Sequence, residues 1–123
     1  MIAMGTANTQ CLIPDPRNTR HIAKEVKDHR VTIMANVPTL YQMLTDDPAF
    51  KALDFSALKI CVSGAAPFSV EGINALEAVV GKGKILEVYG MTEASPLLTM
   101  NPFDGEKKIG SVGVPIQNTM IRI

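Results

Sequence analysis

The sequence predicts an α/β fold, a layered parallel sheet with crossover helices, and three observations support this prediction. Three apolar runs rich in β-branched residues, 31–37, 58–63 and 84–89, are typical of strands covered on both faces. Segments with apolar residues at helical spacing separate these runs. The length of 123 residues is that of one domain with a sizeable core. Because strands that alternate with helices pair in parallel through crossover connections, we expect a parallel sheet.

Each predicted helix has a start signal and a set of apolar positions at helical spacing. The signals are Asn18 or Thr19 before a helix over 20–30, Pro38 at the opening turn of a second helix, and Ser69 before a third that Gly81 or Gly83 ends. The side chains expected to point inward are Ile22, Ala23, Val26, Leu40, Met43, Leu44, Val70, Ile73, Leu76, Val79 and Val80.

Two cysteines and two histidines are the candidate metal ligands. Cys11, in the apolar run 10–14, and Cys61 both lie in strand-like surroundings without CxxC spacing. We therefore expect two buried free thiols, as a reducing cytoplasm allows, rather than a metal site. His21 and His29 lie on a charged helical segment where nothing nearby completes a ligand set. Both are expected to be solvated surface residues.

The charge balance excludes long-range attraction to nucleic acid or to an anionic membrane surface. The chain has 12 Lys plus Arg residues and 12 Asp plus Glu residues, so a ligand must be recognised locally. The opening segment lacks the basic n-region of a signal peptide, and no apolar run is long enough to span a bilayer. These features predict a cytoplasmic protein with no nucleic-acid partner.

The composition changes after Pro102, where a polar turn is followed by a glycine-rich and then an alternating segment. Residues 118–123 alternate in the manner of a strand. We therefore divide the chain into an α/β subdomain over 1–102 and the start of a β-rich subdomain over 103–123.

Two loops, 64–69 and 90–96, contain the candidate functional residues. Each follows the carboxyl end of a predicted strand, where open α/β sheets bind ligands. Directly before the second loop, Tyr89 offers a ring to a planar ligand. Thr92 offers a hydroxyl and a backbone donor to a phosphate oxygen, and Glu93 offers a carboxylate to Mg²⁺. In the first loop, Gly-Ala-Ala-Pro at 64–67 supplies a flat wall of small side chains.

Together the two loops predict a nucleotide slot, with the base between Tyr89 and the wall at 65–67 and with Gly90 leaving backbone room. Either loop alone is weak evidence, because Gly-Ala-Ala-Pro is a common loop composition and Tyr-Gly at a strand end is frequent turn chemistry.

In combination these motifs resemble the adenylate-forming enzymes, specifically the fatty acyl-CoA ligases. The matching segments are VPTL at 37–40, DFSALKICVSGAAP at 54–67, LEVYGMTEASPLLTMNP at 86–102 and GSVGVP at 110–115. The resemblance covers nearly the whole chain. It implies an acid–thiol ligase, in which a fatty acid carboxylate attacks the α-phosphate of ATP and the thiol of coenzyme A then displaces AMP from the acyl-adenylate.

The resemblance also implies roles for individual residues. Tyr89 would pack on adenine, Thr92 would touch the α-phosphate and Glu93 would hold Mg²⁺, so Thr92 and Glu93 are the candidate catalytic residues. The residues implied to bind the nucleotide are Gly64, Ala65, Ala66, Pro67, Glu87, Val88, Tyr89, Gly90, Met91 and Thr92.

Several parts of the family pattern are missing from this sequence: the TSGTTGxPKG loop, the aspartate of TGD and the late lysine. Because such donors and cations stabilise the charge on the α-phosphate, we expect that the chain alone forms no acyl-CoA. We interpret it as a fragment of the large N-terminal domain of a cytoplasmic ligase, with peripheral contact at the inner membrane face left open for the parent. Apolar faces that the missing parts would cover predict self-association.

A second interpretation stays open, a free-standing, non-catalytic nucleotide-binding or interaction domain that keeps the fold. A dinucleotide-dependent oxidoreductase is disfavoured because no GxGxxG follows a predicted strand. Residues 36–38 suit a strand-to-helix junction as well as an acyl-binding wall. Gly110, Gly113 and Pro115 suit a turn better than a ligand contact.

Overall fold

A five-stranded mixed sheet, in the order β1–β2–β3–β4–β5, forms the centre of the computed structural model, which describes residues 8–122. The strands are β1 (Ile33–Asn36), β2 (Ile60–Ser63), β3 (Ile85–Gly90), β4 (Leu97–Met100) and β5 (Val114–Pro115). The helices are α1 (Thr19–Asp28), α2 (Pro38–Asp46), α3 (Pro48–Lys51) and α4 (Val70–Val80). Predictions for residues 1–7 and 123 lie outside the described part of the chain.

The first three strands are parallel, as the alternation of strands and helices predicts. The chain crosses from β1 to β2 through α2 and α3, and from β2 to β3 through α4. Strand β4, which the sequence analysis does not predict, follows a tight turn and pairs antiparallel with β3. Strand β5 pairs antiparallel with β4, so the sheet is parallel on one side of β3 and antiparallel on the other.

The strand predicted at the carboxyl end is wrong in its described part, because residues 118–122 form no strand. Asn118 has a φ of 59°, a left-handed conformation that interrupts an extended chain. The strand in this region is instead the short β5, which lies before that turn.

The strand-like character predicted for 10–14 is also wrong, since residues 8–18 form neither a helix nor a strand. Strand β1 is an edge of the described sheet and pairs only with β2, so this run does not extend the sheet at β1. Cys11 is therefore exposed, contrary to the prediction of a buried thiol, whereas Cys61 in β2 is fully buried as predicted.

The caps predicted for the first and third long helices are confirmed. The Asn18 side chain accepts a hydrogen bond of 3.0 Å from the backbone N–H of His21, at the start of α1. Ser69 accepts one of 3.0 Å from the N–H of Gly72 in α4, and Gly81 ends that helix with a φ of 106°. Short helix α3 was missed, although Asp47 caps it and Pro48 opens it.

Helix α2 opens at Pro38 as predicted, but its buried face is different from the predicted one. Met43 is 41% exposed, whereas Tyr41 is fully buried and stacks on Phe68 at a centroid distance of 6.0 Å. Tyr41 and Leu44 are three positions apart and share one face, from which Met43 is rotated away. The Tyr41 hydroxyl shares its one proton between the carbonyl oxygens of Met34, at 3.1 Å, and Val62, at 3.0 Å. Burial raises the pKa of Tyr41 far above its ordinary value.

The core lies on one face of the parallel strands, where Met34, Cys61 and Ile85 join buried residues of α1, α2 and α4. On the opposite face Ile33 is 55% exposed, so β1 is not covered on both faces as predicted. Two consecutive crossovers in the same direction are expected to place their helices on the same side of a sheet. On the other side Ile60 of β2 and Leu86 of β3 are still buried, at 3% exposure each, so of the parallel strands only β1 is open there.

Candidate nucleotide site

The carboxyl ends of β2 and β3 lie at the same edge of the sheet because the two strands are parallel. Ser63, the last residue of β2, is opposite Glu87, so β3 extends three residues further, to Gly90. The loops at 64–69 and 91–96 therefore leave neighbouring strands at the edge where α/β sheets bind ligands.

The loop after β3 is a tight turn closed by backbone hydrogen bonds. The N–H of Met91 donates to the Pro96 carbonyl oxygen at 2.7 Å, across a single 3₁₀ turn at Thr92–Ala94. A side chain at Gly90 would overlap the same carbonyl group, so this closure requires glycine there. The role of Gly90 in this structure is therefore to let the turn close.

The side chains that the turn carries point to solvent. Tyr89 is 44% exposed, Met91 is 42% exposed, and Thr92 and Glu93 are both exposed. A half-exposed ring at the end of a strand is free on one side for stacking, and the adjacent hydroxyl and carboxylate are free to meet polar ligand atoms.

The loop after β2 is anchored at both ends. At its start, a Cβ on Gly64 would come within 2.9 Å of the Val88 side chain, so this loop begins in close contact with β3. At its other end Phe68 is buried and stacks on Tyr41. Between them Ala65 has a φ of 67°, and Ala65 to Pro67 are exposed, so a strained but solvent-facing wall lies beside the end of β3.

Glu87 is turned towards the C-terminal segment of the chain. The residue is 9% exposed, and its carboxylate accepts a hydrogen bond of 3.2 Å from the N–H of Gly110. Burial raises the pKa of this carboxyl, and the bond from Gly110 only partly offsets that effect. With Asn101 and Lys107, Glu87 lines a cavity of about 430 Å³ beside α4. In this structure the Glu87 carboxylate is thus paired with the backbone of Gly110.

Ser63 is a residue beside the site that sequence reasoning missed. It is 2% exposed, and its hydroxyl has no hydrogen-bond partner among the described residues. The sequence feature that could have identified Ser63 is its hydroxyl, which ends an apolar strand directly before Gly64. Buried polar groups are normally hydrogen-bonded, so an unpaired hydroxyl at this edge marks Ser63 as a candidate polar contact for a ligand.

The two loops contain no cationic side chain, because no Lys or Arg occurs between Lys84 and Lys107 or between Lys59 and Lys82. Glu93 supplies one hard oxygen ligand, which fits an Mg²⁺ ion that takes its other ligands from phosphates and water. The two loops therefore offer a ring and a carboxylate to a ligand, but no positive charge that could neutralise a phosphate.

This sheet and its two loops define an α/β protein of the class that binds ligands beyond the carboxyl ends of its strands, and comparison with known families gives the family. The AMP-binding enzyme family model matches residues 1–123, so the chain belongs to this family of adenylate-forming enzymes. The long-chain-fatty-acid–CoA ligase of Yersinia pestis is 38% identical over 112 residues, covering 91% of this chain and 20% of that protein. The ligase of the same name from Bacillus subtilis is 38% identical over 105 residues, 85% of this chain and 18% of that protein.

Solved structures share the fold. A benzoate CoA ligase from Burkholderia xenovorans LB400 superposes with a TM-score of 0.81 at 25% identity, over 94% of this chain and 23% of that one. ATP-bound MatB from Rhodopseudomonas palustris gives 0.76 at 28% identity, over 94% of this chain and 22% of that one. The chain thus spans about a fifth of the length of the relatives it matches. In the described residues no helix is both long and apolar enough to cross a membrane.

Proposed function

We propose that this chain is the part of an ATP-dependent fatty acyl-CoA ligase that holds adenine, the α-phosphate and Mg²⁺. The parent enzyme would join a fatty acid to coenzyme A through an acyl-adenylate. The observation that carries the proposal is the exposed Tyr-Gly-Met-Thr-Glu turn at 89–93 beside the small-residue loop at 64–67, in a chain of the AMP-binding family.

Three side chains each contact a different part of the ligand in this proposal. The ring of Tyr89 stacks on adenine while the wall at 65–67 closes the other side of the slot. The Thr92 hydroxyl donates to an oxygen of the α-phosphate. Glu93 holds Mg²⁺, which when bound offsets the negative charge of the phosphates. Glu87, Val88 and Met91 border the base through the backbone of β3 and its turn.

The chain alone is proposed to form no acyl-CoA. Stabilising the charge that develops at the α-phosphate is the largest demand of adenylation, and the two loops contain neither Lys nor Arg. Relatives about five times longer have room for further donors and cations, which supports the interpretation of this chain as one part of a larger catalytic unit.

Calorimetric titration of the chain with AMP tests the slot. The unmodified chain is expected to bind, and Tyr89→Ala is expected to weaken binding by about tenfold or more, since stacking of one base on an aromatic ring contributes roughly 1–3 kcal/mol. Tyr89→Phe is the matched control, because it keeps the ring and should bind nearly as well as the unmodified chain.

Two results would contradict the proposal. Equal affinity of Tyr89→Ala and the unmodified chain would remove adenine stacking from Tyr89. Acyl-CoA detected by mass spectrometry, after the purified chain is given a fatty acid, ATP, Mg²⁺ and coenzyme A, would show that the missing parts are not needed.

A further inference from the structure

The side chains of Cys11, Glu25 and His29 lie close together at helix α1. None of them belongs to the loops of the proposed nucleotide site. The Cys11 thiol donates a hydrogen bond of 3.2 Å to Oε2 of Glu25. Nε2 of His29 lies 3.2 Å from the same oxygen. The three ligand atoms are all within 4.8 Å of one another. For His29, the prediction that nothing nearby completes a ligand set is therefore wrong, because Cys11 and Glu25 lie beside it.

The local structure explains the convergence. Glu25 and His29 are four residues apart on α1, so their side chains are neighbours on one face. The backbone N–H of His29 also donates to the Glu25 carbonyl oxygen at 3.0 Å, which fixes the end of the helix. Before the helix, a turn in which Asn18 N–H donates to the Asp15 carbonyl oxygen at 3.2 Å reverses the chain. The reversal brings Cys11, from a different segment, back against Glu25.

We propose that Cys11, Glu25 and His29 form a surface binding site for Zn²⁺, with solvent in the fourth position. Zn²⁺ is bound in proteins by thiolate, imidazole and carboxylate, and sites with three protein ligands keep one open position. A set that mixes one sulfur, one nitrogen and one oxygen suits this borderline-soft ion better than Mg²⁺ or Ca²⁺, which take oxygen ligands.

The spacing of the ligand atoms fits a tetrahedral ion after a small adjustment. Zinc bonds of about 2.0–2.3 Å with tetrahedral angles put neighbouring ligand atoms roughly 3.3–3.7 Å apart. The two separations from Glu25 are both 3.2 Å. The remaining separation, between Cys11 and His29, has to shorten by at most about 1 Å to reach that range. Both side chains are exposed, which leaves them free to rotate.

Binding changes the protonation of one group. The thiol of Cys11 loses its proton to solvent and becomes the thiolate that bonds the ion. Its hydrogen bond to Glu25 raises the pKa of the thiol and holds the pKa of the Glu25 carboxyl below its ordinary value. The carboxylate is thus ionised already and needs no proton change.

His21 provides a matched control on the same helix. Its Nδ1 lies 3.9 Å from Oε1 of Glu25, whereas Cys11 and His29 pair with Oε2. Lys24 lies 4.0 Å from Oε1. Replacing His21 therefore removes an imidazole close to Glu25 without removing a member of the proposed site.

The test is titration of the full 123-residue chain, reduced and free of metal, with Co²⁺ as a spectroscopic probe and then with Zn²⁺ as competitor. We expect a thiolate-to-cobalt charge-transfer band that saturates at one equivalent and that Zn²⁺ abolishes. Cys11→Ser should remove the band, and His29→Ala should weaken binding by about tenfold or more. His21→Ala should bind as the unmodified chain does.

Four results would overturn the proposal: no band in the unmodified chain, an unchanged band in Cys11→Ser or His29→Ala, an equal loss in His21→Ala, or native mass spectra in which the ion bridges two chains. A further measurement needs no variant. Zn²⁺ is expected to slow alkylation of Cys11 by iodoacetamide at least about tenfold, with each cysteine followed by peptide mass spectrometry. An unchanged rate at Cys11 would overturn the site as well.

Discussion

At the scale of single residues, the clearest strain in the proposed site is at Ala65, whose φ of 67° puts it in the left-handed region. For a residue with a Cβ this conformation costs about 1–2 kcal/mol. Ser95, in the other loop, has a φ of 65°. Strain of this kind persists only where the surroundings impose it, and here both loops of the proposed site carry one such residue.

Ala65→Gly tests whether this strain is stored in the free chain. We expect the free energy of unfolding to rise by about 0.5–1 kcal/mol, because glycine relieves the strain but adds entropy to the unfolded chain. Urea denaturation measures the change. Ala66→Gly is the control, since Ala66 is exposed without a positive φ, and it should lower stability by roughly 0.5–1 kcal/mol. A loss of stability in Ala65→Gly would contradict this account.

At the scale of elements, β3 joins the parallel and the antiparallel part of the sheet. It pairs in parallel with β2 and antiparallel with β4, and its carboxyl end carries the proposed site. It also holds the segment after β4 in place, because the Glu87 carboxylate accepts from Gly110 and the Glu87 carbonyl oxygen accepts from Asn101. A buried carboxylate in this strand makes the pairing sensitive to pH.

Glu87→Gln is expected to stabilise the chain more at about pH 7 than at about pH 4. Burial raises the folded-state pKa of Glu87 above its unfolded value, so its contribution is favourable at low pH and is lost as pH rises through the folded pKa. Glutamine keeps an acceptor for Gly110 without a charge to bury. Urea denaturation of both proteins at both pH values gives the difference, in which the other carboxylates cancel.

Glu106→Gln, at an exposed position, controls for the change in net charge. If Glu87→Gln shifted stability equally at the two pH values, burial of the charge would not be the cause.

At the scale of the whole molecule, helices cover one face of the sheet, and the other face is open in the described residues at β1 but buried at Ile60 and Leu86. The edge strand β1 shows Ile33 and Ala35 to solvent and leaves its outer side unpaired within the described chain. Open apolar sheet faces and unpaired edges both favour association. The division at 102–103 stays a prediction, and β5 links its second part to the sheet through β4.

Self-association is the expected consequence of the open face. The mass from light scattering should rise with protein concentration, and Ile33→Lys should reduce that rise by placing a charge on the open face. Met120→Lys is the control, because Met120 is 95% exposed but lies outside the strands. A monomer mass at every concentration, or an equal effect of the two substitutions, would refute this expectation.

Local signals in the sequence were enough to predict β1 to β3, the three longer helices, the caps at Asn18 and Ser69, and the two loops at strand ends. Each of these depends on residues within a few positions of one another, whose backbone preferences act before any distant contact forms. The Tyr-Gly-Met-Thr-Glu turn belongs with them, since its family pattern is continuous in sequence.

Contacts between distant segments decided the rest. The antiparallel return of β4, the burial of Tyr41 instead of Met43, and the bond between Glu87 and Gly110 all depend on which surfaces meet after the chain has folded. The same holds for Cys11, which reaches Glu25 across 14 positions. An apolar pattern indicates that a side chain favours burial. Only the tertiary structure decides which face is covered and which polar groups form hydrogen bonds with one another.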